Sequence, residues 1–116
     1  MTFTVEVLLK GEQDVVSESL EHDVSTDTWT DEDVRAVLHL TLGQLDRAQN
    51  PGEQQRPTQL RGFSWIVTPL QKGVAIAIEV ASGAIVAGPF DVDRDWLTQS
   101  ITRVMAEDRE TPEVLH

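Results

Sequence analysis

The chain contains no cysteine. That excludes a disulfide framework, a thiol nucleophile and every zinc site built on thiolates. There is no tyrosine either, and three tryptophans and three phenylalanines give an aromatic content of only 5%. No run approaches the ~18 apolar residues of a membrane-spanning helix. Met1 to Lys10 is interrupted by Glu6, and no small-residue cleavage site follows, so it does not read as a secretory signal. A soluble cytoplasmic protein without membrane association is the expectation.

Basic residues are missing from one long stretch. Between Glu12 and Asp33 there is no Lys or Arg. Met1 to Asp33 holds ten acids and one base, a net charge of −9, whereas Val34 to His116 holds ten acids and eight bases, a net charge of −2. Such a field repels nucleic acid and anionic lipid, because phosphate binding rests on Lys and Arg. It favours a cationic partner and speeds the encounter with one. An acidic surface also keeps a protein soluble without any partner.

What is present is enough for a core. A chain of 116 residues that is 40% apolar has the size and composition of one globular domain. Residues 1–110 read as a single α+β domain and residues 111–116 as a loose tail. Phe3, Val5, Val7 and Leu9 alternate with polar residues, as in a half-buried strand. Gly11 to Asp14 turns the chain, and residues 15–24 return as an acidic edge strand. Thr30 to Ala48 is the clearest helix. Thr30 is the N-cap, Asp33 can close a capping box, and Trp29 with Val34 has the spacing of a hydrophobic staple. Asn50-Pro51-Gly52 ends it, and the segment to Gln59 is a loop.

Arg61 to Pro69, Val74 to Ala81 and Ala84 to Gly88 read as three further strands. Ser82-Gly83 forms a two-residue hairpin loop, and Pro89 ends the pairing. Asp93 caps a last helix running to about Asp108, with Trp96, Leu97, Ile101, Val104 and Met105 on its apolar face. The expected fold is an antiparallel sheet of about five strands with two helices on one face, in the order ββαβββα. Val74 to Gly88 carries one charge, Glu79, and should therefore lie at the centre of the sheet. Its alanine-rich face needs a cover, either a helix or a second subunit across a two-fold axis, so a homodimer is expected.

Catalytic motifs are weak throughout. Asp91, Asp93 and Asp95 begin a calcium loop, but Trp96 stands at the glycine position and Thr102 at the glutamate position. His22 has Glu21, Asp23 and Asp27 nearby, yet no paired histidine at helical spacing, and His39 faces no second ligand. Ser64, Ser82 and Ser100 lie in no nucleophile elbow. Gly83 to Gly88 lacks the Lys-Ser/Thr of a phosphate loop. Residues 31–108 are similar in element order alone to double-stranded-RNA-binding domains. The first helix opens with three acids, and no bases cluster, so RNA binding is excluded on charge.

No metal, cofactor or catalytic group is therefore assigned. The leading expectation is a non-catalytic interaction or regulatory module that meets a basic protein partner, or itself, through its acidic first third. Glu18, Glu21, Asp23, Asp27, Trp29, Asp31 and Glu32 would form that surface, with Trp29 as an aromatic anchor among acids. The alternative is a small-molecule binder or enzyme with a pocket between sheet and helices, lined by Phe63, Trp65, Glu79 and Trp96. A buried Glu79 would then be a candidate general acid or base.

Overall fold

A computed structural model describes residues 1–52 and 59–110. Five strands, β1 (Thr2–Leu9), β2 (Val16–Glu21), β3 (Ser64–Pro69), β4 (Val74–Val80) and β5 (Gly83–Phe90), form one antiparallel sheet in the order β2-β1-β5-β4-β3. Two helices, α1 (Asp31–Gln49) and α2 (Arg94–Glu110), complete the expected α+β fold. Both lie on one face of the sheet. Their apolar stripes (Val34, Val37, Leu38 and Leu42; Leu97, Ile101, Val104 and Met105) share a single core with Phe3, Val5, Val7, Ile76, Ile78 and Ile85. β4 and β5, which carry one charge between them, occupy interior positions, as the aggregation argument requires, while the uncharged β3 forms an edge.

The start of α1 follows its sequence signals. Asp33 Oδ2 accepts a hydrogen bond from the Thr30 backbone N–H at 2.8 Å, satisfying a donor that the helix cannot. Trp29 and Val34, the staple pair, are both buried. At α2, Asp93 Oδ2 accepts from the Trp96 N–H at 2.9 Å. That caps the helix and accounts for one acid of the Asp-x-Asp-x-Asp run.

Three details differ from the sequence reading. The hairpin between β4 and β5 turns on Ala81-Ser82, because Gly83 already pairs with Val80. Gly83 is needed for close approach instead. A Cβ there would stand 2.3 Å from the Leu8 carbonyl oxygen of β1. Pro89 does not end β5. The strand passes through a cis Gly88–Pro89 bond and a register shift opposite Val74–Ile76, and Phe90 pairs with Val74. β3 begins at Ser64, while Leu60, ahead of it, is sunk in the core at 1% exposure. The expected tail at 111–116 lies outside the described residues, as does most of the loop before Gln59.

The alanine-rich face of β4 and β5 has no helix over it. With both helices on the other side, the second face of the sheet is open, and side-chain alternation determines what it presents.

Candidate functional site

The acids of the first third separate into two groups. Asp31 and Asp33 are engaged. Asp31 accepts from the Ser100 hydroxyl (2.7 Å) and from Arg103 Nε and Nη2 (2.8 and 2.9 Å), which ties the start of α1 to the middle of α2. The Arg103 guanidinium, helped by the Ser100 hydroxyl, holds the Asp31 carboxyl below the usual aspartate range. Asp33 uses its second oxygen to accept from His22 Nε2 at 2.9 Å, and that contact, followed by the Thr30 N–H, lowers its pKa as well. His22 is thereby placed against a helix cap.

The other eight acids, Glu6, Glu12, Asp14, Glu18, Glu21, Asp23, Asp27 and Glu32, are exposed and make no ion pair among the described residues. Glu18 and Glu21 sit on β2, the edge strand. Asp23 and Asp27 follow in the connection, which includes a single 3-10 turn (Thr26–Thr28), and Glu32 opens α1. The expected acidic surface thus keeps Glu18, Glu21, Asp23, Asp27 and Glu32, while Asp31 is bound to Arg103.

Trp29 does not join that surface. It is 7% exposed, packs tilted against the Phe90 ring with centroids 5.5 Å apart, and donates its indole N–H to the Val24 carbonyl at 2.9 Å. Flanking acids made it resemble an exposed anchor. The staple spacing, present in the same sequence, was the signal for its burial.

The four residues of the expected pocket do not converge between sheet and helices. Phe63, Trp65 and Trp96 pack against the core. Glu79 is exposed on the opposite, open face, where it pairs across the ladder with Ser64 and Ala84. A buried acid–base role for Glu79 is thereby removed. Among the described residues no three His, Asp or Glu side chains come together as a metal site. No helix among them is long and apolar enough to cross a membrane.

The open face is built in rows that follow from strand register. One row reads Ser17, Glu6, Val86, Ala77, Ile66 from β2 to β3; the next reads Leu8, Ala84, Glu79, Ser64 from β1 to β3. Ile66 is 61% exposed, Leu8 42% and Val86 40%. Alanines between them leave shallow open depressions, one of them, of about 300 Å³, at the rim beside Leu8, Lys10, Glu79 and Ala84, and two further in. Of the inner two, one, of about 280 Å³, is bordered by Ile66, Ala77, Glu79, Ala84 and Val86. The other, of about 360 Å³, is bordered by Glu6, Leu70, Ala75, Val86 and Gly88. Val86 is the wall they share. Periodicity showed that this face was small and apolar. It could not show that both helices would choose the other side.

No family model matches the chain, and neither a curated protein nor a solved structure is significantly similar to it.

Proposed function

We propose that this chain is a non-catalytic interaction module for a cationic protein partner, met through the acidic surface of β2, the following connection and the start of α1. The observation that carries this reading is the eight exposed carboxylates of the first third that have no ion-pair partner among the described residues. Unpaired surface charge of one sign raises the encounter rate with the opposite sign and repels nucleic acid and anionic lipid. A cytoplasmic setting agrees with the lack of cysteine. Self-association through the open sheet face is the rival within the same class, and the net charge of −11 on each copy weighs against it.

The test is titration with an unstructured lysine-rich peptide at low and at physiological salt. Affinity should fall as salt rises. It should also drop in a variant carrying Glu18→Gln, Glu21→Gln, Asp23→Asn and Asp27→Asn. Binding that ignores both salt and these changes, or no binding at low salt, removes the reading.

A further inference from the structure

The five strands together contain no Lys or Arg at all, yet carry Glu6, Glu18, Glu21 and Glu79. By register three of these acids fall on the open face: Glu21 lies at its outer corner opposite Thr2, while Glu6 and Glu79 stand further in. Glu6 borders one of the inner depressions and Glu79 the other. Neither makes an ion pair among the described residues. Lys10 and Lys72 stand beyond the strand ends; Lys10 borders a neighbouring depression at the rim of the face together with Glu79 and Glu12, and forms no ion pair with Glu79.

Spacing adds a second constraint. Glu6 on β1 and Glu79 on β4 are separated by β5 and by one side-chain row. Strands ~4.8 Å apart, with same-face residues ~6.8 Å apart along a strand, put the two positions roughly 12 Å from each other. That is about the diameter of an α-helix with its side chains. Between the acids lies the apolar ground of Val86, Ala77 and Ala84, with small residues where a partner's larger side chains would enter. An apolar floor bordered by one carboxylate on each side is complementary to a helix with an apolar stripe and a basic border on each side.

We infer that the open sheet face is the docking surface for an amphipathic basic helix of a partner protein. Its apolar side chains fill the depressions on either side of Val86, and its Lys or Arg side chains meet Glu6 and Glu79. This rests on the cationic-partner reading and adds to the acidic edge a second, adjoining contact on the sheet face. A second copy fits less well. It would bring four unpaired carboxylates into one interface with no strand-borne base to offset them, and desolvated charge without a partner is costly.

The probe is a synthetic helical peptide with a leucine stripe bordered by lysines, titrated into the isotope-labelled protein and followed by amide shifts. A control peptide carries glutamates in place of the lysines. The expected result is shifts centred on Ala77, Ala84 and Val86, with no binding of the control. Glu6→Gln with Glu79→Gln should weaken binding about tenfold, the equivalent of about 1.4 kcal/mol. Val86→Lys and, separately, Ile66→Lys should abolish it. Both sites are exposed, and an unchanged thermal midpoint verifies the fold of each. Glu18→Gln with Glu21→Gln should leave affinity within a factor of two.

Shifts confined to β2 and the start of α1, sensitive to the Glu18/Glu21 pair, would overturn this surface and leave the cationic-partner reading standing. Failure of both this peptide and the unstructured lysine-rich peptide overturns the two together. Equal binding of the glutamate control overturns the electrostatic match. Sedimentation showing a dimer that Val86→Lys converts to monomer assigns the face to a second copy and refutes the proposal.

Discussion

His22 Nε2 donates to Asp33 Oδ1 at 2.9 Å while the other Asp33 oxygen caps α1 at Thr30. One carboxylate therefore fastens the end of the acidic edge strand to the start of the first helix. The His22 ring also meets Trp29 edge-on, with centroids 5.9 Å apart. Polar clamp and aromatic packing converge on the same corner.

Asp33→Ala removes both functions of the carboxylate and should cost about 1–2 kcal/mol, from the lost cap and a lost charge-assisted hydrogen bond. His22→Ala leaves the cap and should cost about 1 kcal/mol or less. Urea unfolding at neutral pH measures both, and equal losses would contradict the division of labour.

Acid should weaken the fold through two identified groups. Asp31 and Asp33 both have folded pKa values below the ordinary aspartate value of 3.8. A depressed folded pKa contributes stability that is complete well above the unfolded value and is lost as pH falls through the folded one. Urea midpoints should hold from pH 7 to about 5 with respect to these groups and drop between 3.8 and the lower folded values. Asp31→Asn with Asp33→Asn should start less stable at pH 7 and show a shallower acid limb. A limb as steep as that of the parent protein would assign the acid sensitivity elsewhere.

Replacing Arg103 by Lys tests the clamp between helices. Arg103 reaches both oxygens of Asp31, a geometry a single ammonium cannot reproduce. Arg103→Lys should steepen the salt dependence of stability and lower the thermal midpoint slightly, since the pair is half-exposed and surface pairs contribute little. Differential scanning calorimetry at two salt concentrations reads both effects.

Trp29→Ala should cost about 3–5 kcal/mol, the range for truncating a buried large aromatic. Trp29→Phe should cost less and remove the blue-shifted component of the fluorescence. A near-neutral Trp29→Ala would return the residue to the surface role suggested by its acidic neighbours.

Gly83→Ala should destabilise by about 1–3 kcal/mol, the usual cost of overpacking. The added Cβ meets backbone of β1, which cannot step aside as a side chain could. Ser82→Ala, in the turn itself, should be far milder.

Local signals were the legible ones. The cap at Thr30 and Asp33, the staple of Trp29 and Val34, and the period-two strands are written in neighbouring residues, and each is found in the fold. The misread points depend on elements distant in sequence. Gly83 resembled a turn glycine until β1 was laid beside it. Pro89 resembled a terminator because its neighbour strand could not be seen to shift register. Leu60 stood alone beside a polar loop, and no periodic pattern marked it as core. Glu79 and Trp65 belong to different faces by simple alternation, which already argued against their sharing a pocket between sheet and helices. The bare sheet face is a choice made by both helices together, and no window of one sequence contains both.

The strand order also sets a schedule for making the protein. β1 pairs with β5, which joins Thr4 to Gly88, 84 positions later in the chain. A hairpin of β1 and β2 leaves the ribosome well before β5 and has no inner neighbour until all three remaining strands have followed. During that interval its apolar Phe3, Val5 and Val7 have nothing from the sheet to rest on, and long-range pairing of this kind is the slow part of folding. The dense negative charge on the same hairpin then keeps one waiting chain from pairing with another on the same message.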